Sequence, residues 1–451
     1  MKITRISGLA AFTAAAALAL TACGSDTPTA SSSGGAAVSS AVDSATSEMS
    51  SEMTSGSEMT SGSEMTSGSE MSSGSEMTSG SEMSSGSEMS SGSEMSSGSE
   101  MSSGSEMTSG SGMTSSGGGS AAGVTFDAAG FKCATGELRS SGSTAQGKAI
   151  GAWIKAYNAK CGAKLNDYGG GGSGKGITDF TQNQTDFGGS DSALKDAEKA
   201  PAKQRCQSND AVDLPLVTGP IAVAYKLEGV SDLTLTPKVL AGIFDDKITS
   251  WDDPAIAEAN PGANLPATAI QTIHRSEDSG TTENFVKYLK ANSDWPYEGG
   301  KAWEATGGTG ANGSDGVASA IAGTDGAIGY VEWGFATENK LATAKIDNGG
   351  GAVELTAESA AKAVTAAKVV GTGKDLTLKL DYATKEAGAY PVILVTYEVV
   401  CSAGNGDKAA LLKSFLGYAA TDGQGELTKV GAAPLPAEIQ AKVIDVVKGL
   451  S

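Results

Sequence analysis

Between Ser47 and Ser111 the chain repeats one six-residue unit, GSEM(S/T)S, and this repeat limits where a folded core can form. From Gly24 to about Ser120 the composition is dominated by Ser, Thr, Gly, Glu and Met, with no apolar face at helical or strand spacing. Such a stretch has nothing to bury, so we expect a disordered tether. As a flexible coil, about 97 residues have a root-mean-square reach on the order of 50–60 Å. Its 11 glutamates carry much of the acidity: 52 acidic against 32 basic residues gives −20 for the whole chain, and without those 11 the balance is −9. All 13 methionines lie at or before Met113. Thioethers suit Cu(I), but the repeat has no histidine and its methionines mostly stand six apart, which argues for a solvated, self-repelling spacer and against a metal site.

Ahead of the repeat, Lys2 and Arg5 precede an apolar stretch from Ile6 to Leu20, followed by Leu20-Thr21-Ala22-Cys23. A basic start, a short apolar core and small residues at the cut read as a secretory signal over residues 1–22, too short for an ordinary membrane span. The last four residues resemble the bacterial lipoprotein pattern L-[ST]-[AG]-C. That resemblance implies cleavage before Cys23, lipidation of its thiol (a palmitate-type modification) and a lipid-anchored linker over 23–120 on the extracytoplasmic face of the cell membrane.

About 330 positions remain from Ala121 to Ser451, enough for two lobes with sizeable cores. Strand-like runs (Lys164–Tyr168, Thr185–Phe187, Val212–Leu216, Ile221–Lys226, Ile270–Arg275, Ala327–Val331, Pro391–Val400) alternate with helical ones. The helical runs are those through Ile150 to Tyr157, Ile177 to Phe180, Pro237–Ile243, Val317–Ala322, Ser359–Val370, Lys408–Ala420 and Ala437–Gly449. That alternation argues an α/β architecture. The apolar runs Leu214–Tyr225 and Pro391–Val400 are the candidates to pass between lobes. Setting Cys23 aside leaves Cys133, Cys161, Cys206 and Cys401, an even number in an exported chain, so two disulfides are expected. Of the three connectivities we expect Cys133–Cys161 with Cys206–Cys401. Zinc is disfavoured: there is no C-x-x-C pair and His274 is the single histidine, so we expect no metal and no cofactor.

The chemistry concentrates in Ile273 to Leu289, IHRSEDSGTTENFVKYL. Arg275 supplies a fixed charge with a planar fork of donors, and Ser279-Gly280-Thr281-Thr282 opens an amphipathic helix. The first turn of a helix offers unpartnered N–H groups and a positive dipole end, which suits an oxyanion. Gly142-Ser143-Thr144-Ala145 and Gly172-Ser173-Gly174 open two further helical runs with the same chemistry. Two enzyme readings compete. Gly169 to Gly176 fits G-x-x-x-x-G-K but lacks the following Ser or Thr that would hold Mg²⁺. A hydrolase pairing a serine with His274 lacks a G-x-S-x-G elbow.

Taken together, Gly142-Ser143-Thr144, Gly172-Ser173-Gly174, Asp186-Phe187-Gly188-Gly189-Ser190-Asp191 and Arg275-Ser276-Glu277-Asp278-Ser279-Gly280-Thr281 resemble the phosphate-binding proteins of bacterial phosphate-specific ABC transporters. Leu240 to Phe244, Lys247 to Pro254 and Gly326 to Val331 look like further stretches of that family, in its order. The resemblance implies a two-lobed type II periplasmic-binding-protein fold with a hinge. Lobe 1 would hold about 121–216 plus 392–451, and lobe 2 about 217–391. It also implies one bound inorganic phosphate, delivered to transmembrane permease subunits driven by a cytoplasmic ATPase. The carried-over contacts are Ser143, Thr144, Ala145, Ser173, Arg275, Ser279, Gly280 and Thr281, with Asp191 as the buried carboxylate. The chain would be a monomeric binding subunit with no catalytic residues and no nucleic-acid partner. Two positions depart from the family: Ala145 replaces a frequent aromatic, and Glu277 stands where a shorter acid is common. An ionised Asp191 accepts only, so it would repel sulfate and bond an anion that still carries a proton, as phosphate does. The different reading for the same anion trap is a secreted phosphate-ester hydrolase.

Overall fold

The computed structural model of the chain describes residues 126–451. The expected signal segment (1–22), Cys23 and the repeat linker (23–120) lie outside the described residues. Nine strands form one mixed sheet: β1 (Ser140–Gly142), β2 (Gly169–Gly171), β3 (Phe187–Ser190), β4 (Ala211–Lys226), β5 (Gln271–Arg275), β6 (Thr309–Ala311), β7 (Ala327–Glu332), β8 (Ala342–Thr343) and β9 (Ile393–Cys401). Their order is β2-β1-β3-β9-β4-β7-β5-β6, with β8 also paired to β4. Helices α1 (Gly147–Cys161), α2 (Ser173–Thr181) and α3 (Asp196–Arg205) belong to the first part of the chain. The middle part holds α4 (Pro237–Phe244), α5 (Pro254–Ala259), α6 (Gly280–Asn292), α7 (Gly313–Gly323), α8 (Trp333–Glu338) and α9 (Ala357–Thr365). The last part holds α10 (Ala409–Ala420) and α11 (Ala437–Lys448).

Two cores divide this sheet. Val212, Leu214, Leu216 and Val217 of β4 pack into one, with Trp153, Tyr157, Phe187 and Phe415. Ile221 to Tyr225 of the same strand pack into the other, with Leu240, Phe285, Ile321 and Tyr330. The two sequence runs expected as separate strands, Val212–Leu216 and Ile221–Lys226, are thus one 16-residue strand that crosses between lobes. Strand β9 returns antiparallel beside it, Leu394 in the second core and Val395 in the first. Pro215 and Pro220 cannot donate to this ladder. The register slips beside one of them, where Thr396 faces Val217 and Tyr397 faces Pro215. Leu376 and Leu378, from the stretch between the crossings, pack with the first core.

Three expected elements shift. Lys164–Tyr168 is not a strand. Its neighbour Gly169–Gly171 pairs with β1 instead, and a side chain at Gly170 would meet the Thr144 methyl at 3.0 Å. The strand expected at Thr185–Phe187 runs Phe187–Ser190. The helix expected over Ser359–Val370 stops at Thr365, and Lys368–Val369 pairs with Leu378–Lys379. Both expected disulfides are present, Cys133–Cys161 and Cys206–Cys401, and both lie in the first lobe. Among the described residues no helix is long and apolar enough to cross a membrane.

Candidate functional site

Between the cores, α1, α2 and α6 aim their starts at the segment after β3. Small residues bring α2 there. A Cβ on Gly176 would lie 2.5 Å from the Gly189 carbonyl and 2.7 Å from the Gly142 Cα, so helix and strands meet backbone to backbone. Gly142 itself holds φ +134, and a Cβ there would meet the Gly189 carbonyl at 2.1 Å. The helix therefore starts at Ser173, as expected, against Asp191. Ser279 caps α6, its hydroxyl accepting from the Thr282 N–H at 3.3 Å. Regular α1 begins one turn later than expected: Thr144 to Gly147 form a turn, closed by the Gly147 N–H on the Thr144 carbonyl at 3.0 Å.

Asp191 is the centre of the constellation and is 3 % exposed. Its Oδ1 accepts from Ser143 Oγ at 2.5 Å and from Thr396 Oγ1 at 2.7 Å, and its Oδ2 from Thr281 Oγ1 at 3.3 Å. Its backbone N–H donates to Ser173 Oγ at 3.0 Å, which also takes the Gly280 N–H at 3.1 Å, so one hydroxyl ties two lobes. The Asp191 carbonyl accepts from Asn284 Nδ2 at 2.8 Å. Burial pushes the Asp191 carboxyl up, against the opposing pull of Ser143, Thr396, the Arg275 charge and Thr281.

Arg275, only 2 % exposed, ends β5. Its Nη2 donates to Thr144 Oγ1 at 2.8 Å across the cleft, its Nη1 to Thr281 Oγ1 at 3.2 Å, and its Nε to Glu277 Oε1 at 2.8 Å. Glu277 therefore pairs with Arg275 despite its extra methylene, and it also accepts from the Gly313 N–H at 3.1 Å. Burial would raise the Glu277 carboxyl, but the Arg275 hydrogen bond and charge outweigh it and hold the carboxyl below its usual value. The pair sets a carboxylate against the buried cation, while Nη1 and Nη2 also reach Thr281 and Thr144.

The structure joins Ser143, Thr144, Ser173, Asp191, Arg275, Gly280 and Thr281 in one hydrogen-bonded network. Ala145 is buried beside it, with its N–H on Ser143 Oγ at 3.2 Å. The Ser279 side chain is turned to the helix it caps. Sequence reasoning did not name Thr396, Asn284 or Ser314, whose N–H donates to Thr144 Oγ1 at 3.1 Å. Thr396 left one signal: with Glu398 it breaks the apolar run VILVTYEVV at strand spacing. Elsewhere around the cleft the lobes meet through Gly174 N–H on the Asp278 carbonyl at 3.1 Å, Ser192 Oγ on Glu283 at 3.1 Å and Lys301 on Glu198 at 2.9 Å.

The two side chains on which the enzyme readings rest are engaged elsewhere. Lys175 of the glycine-rich loop pairs with Asp179 in the next turn of α2. His274 sets Nδ1 against the Arg275 carbonyl at 2.9 Å and stacks on Trp303 with centroids 5.1 Å apart. Among the described residues, the hydroxyls of Ser143, Ser173 and Ser279 hydrogen-bond to other groups.

Residues 127–422 match a model described as a PBP superfamily domain. Phosphate-binding protein PstS 3 of Mycobacterium leprae (strain TN) is 40% identical over 313 residues, covering 68% of this chain and 85% of its own. Phosphate-binding protein PstS of Xylella fastidiosa (strain Temecula1 / ATCC 700964) is 34% identical over 303 residues, covering 65% and 80%. Among solved structures, a high affinity periplasmic phosphate-binding protein (PfluDING) bound with phosphate superposes with a TM-score of 0.56 at 20% identity, over 68% of this chain and 93% of that one. A phosphate binding protein from Stenotrophomonas maltophilia gives 0.52 at 20% identity, over 69% and 94%. At such identities these two structures speak to the fold.

Proposed function

We propose a function from one premise: the chain belongs to the PstS family of phosphate-binding proteins, within the PBP superfamily. It is a two-lobed solute-binding protein, not an enzyme, and its role is extracytoplasmic binding of inorganic phosphate for ABC import. The observation that carries this reading is the meeting of a buried acceptor, Asp191, and a buried cation, Arg275, among hydroxyls and helix starts drawn from both lobes. Neutral donors and helix dipoles can hold a dianion without as many countercharges, and a guanidinium bonds it through a planar fork. An ionised carboxylate cannot donate. It therefore selects an oxyanion that still carries a proton and repels one that carries none.

In this reading Ser143, Thr144, Ala145, Ser173, Asp191, Arg275, Ser279, Gly280 and Thr281 contact phosphate, and β4 with β9 form the hinge. Lobe 1 takes about 121–216 plus 392–451, and lobe 2 about 217–391. The chain acts as a monomer and hands its ligand to transmembrane permease subunits with a cytoplasmic ATPase. Cys23 carries the lipid that holds it at the outer face of the cell membrane, and the repeat over 23–120 serves as spacer. The test is calorimetric titration with phosphate, sulfate, arsenate and molybdate in turn, together with a chromogenic phosphate ester. One site for phosphate, weak or absent heat with sulfate and no ester turnover is the expected result. Ester hydrolysis, or equal affinity for phosphate and sulfate, refutes the reading.

A further inference from the structure

We propose that Thr396, on the return strand of the hinge, is the positioning residue that keeps Asp191 an acceptor while ligand is bound. The inference rests on the phosphate-binding reading above and deepens it. Three hydroxyls donate to the Asp191 carboxylate: Ser143 and Thr396 to Oδ1, Thr281 to Oδ2. Each has a single proton to give. Ser143, in the approach to α1, and Thr281, in the first turn of α6, are among the groups assigned to the ligand, so an arriving oxyanion draws their protons toward itself. Thr396 is different. It is 1 % exposed, belongs to no helix start, and its backbone is committed to the β9–β4 ladder. It therefore goes on donating to Oδ1 when the other two have turned.

The consequence is an assignment of the two carboxylate oxygens. Oδ1 stays occupied by Thr396, and Oδ2, whose one bond is the longest of the three at 3.3 Å, is the oxygen that accepts the ligand's P–O–H. The register slip between Thr396 and Tyr397 lies at this point. Such irregularities re-aim side chains next to functional sites. The charged and titratable groups electrostatically linked to Asp191 are Arg275 from β5, Glu398 from β9, Glu332 at the end of β7 and Tyr168 before β2. Arg275 favours its ionised form, while burial opposes it. A steady hydroxyl donor helps decide that balance, because a hydrogen bond to the charged form stabilises it.

The experiment compares the parent protein with Thr396→Val and Thr396→Ser, titrated calorimetrically with phosphate and with sulfate between about pH 5 and pH 9, a span wide enough to reveal a shifted carboxyl. Valine keeps the shape and removes the donor. Its phosphate-to-sulfate affinity ratio should fall roughly ten- to a hundredfold, the loss expected for a hydrogen bond to a charge. The acidic fall-off of phosphate binding should move up by about one pH unit, because a carboxyl that protonates sooner stops accepting sooner. Thr396→Ser should restore both. A purely structural threonine predicts equal weakening toward both anions with the acidic fall-off unmoved, and that result overturns the proposal. If Thr396→Val does not fold, Thr396→Cys, similar in size and a weak donor, is read by the same criteria. A parent protein that binds no phosphate refutes the proposed function and this inference together. A parent that binds it, with variants indistinguishable from it, refutes only this inference.

Discussion

Asp191 and Arg275 are opposites at one site, and their substitutions should separate charge from selectivity. Asp191→Asn replaces the acceptor by a group that can also donate, so discrimination against sulfate should shrink. Arg275→Ala should weaken every oxyanion. Losing a charged partner in a closed cleft costs about 2–5 kcal/mol, roughly 30- to several-thousand-fold in affinity, and here it also strands Glu277. Affinity ratios for the folded variants decide the matter: an unaltered ratio in Asp191→Asn removes Asp191 from the specificity argument. A second residue makes a pH prediction. Glu398 is 1 % exposed, and the Gln146 amide is the one group among the described residues that approaches its carboxyl, short of full hydrogen-bond geometry. Burial, the largest cause, pushes its carboxyl up to about 8, with the Gln146 amide pulling the other way and the charge of Asp191 adding to the rise. The folded chain thus keeps a proton that the unfolded chain releases, so this group's stabilisation is full below the ordinary carboxyl range and is lost as pH rises through about 8. Glu398→Gln removes that titration. Its melting temperature should gain on the parent's between about pH 5 and pH 9, and parallel profiles would count against a proton held at Glu398. The residues at helix starts were legible in the sequence because hydroxyl-glycine pairs at the head of an amphipathic run have a physical meaning there. Thr396 and Glu398 were not, because two polar residues within an apolar strand look the same whether they face a site or a satisfied core.

At the scale of elements, local pattern carried most of the assignment and failed where backbone contact replaced side chains. Strand β2 is three glycines, and no propensity marks Gly169–Gly171 as a strand; β1 accepts it because bulk is absent. Conversely, Leu165 looked strand-like, but its N–H is taken by Asn158 Oδ1 at 2.9 Å and no ladder forms. The long run from Val212 to Lys226 read as two strands because Pro215 and Pro220 punctuate it. Pairing on both sides, to β9 and β7, holds it as one. The disulfides stabilise the elements they join, α1 to the segment before β1 and α3 to β9. Replacing Cys206 and Cys401 together by serine should cost about 2–5 kcal/mol, since their sequence separation is 195 and long loops gain most from closure. Denaturant titration measures this, and a double mutant as stable as the parent would show that the bridge does not constrain the unfolded chain.

For the whole molecule, the alternation of elements announced an α/β chain, and the two long apolar runs marked where it passes from one lobe to the other. The Cys206–Cys401 pairing, expected from the sequence and present in the structure, also has a mechanical consequence. Phe126 and Leu450 both pack in the first core, so the described chain begins and ends in lobe 1, and lobe 2 is an insertion. Cys206 and Cys401 stand just outside the two crossings. A pull applied at residues 126 and 451 therefore passes from sulfur to sulfur and never loads the second lobe. In the oxidised protein stretched singly, the Cys206–Cys401 bridge should withhold roughly 640–700 Å of contour at ~3.3–3.6 Å per residue, and the Cys133–Cys161 bridge roughly 90–100 Å more; a reductant should release both. Equal extension with and without reductant would contradict this. Lobe 2 can thus be dragged by its neighbour, turned by the hinge or closed on a ligand, yet it is mechanically sheltered from tension along the chain.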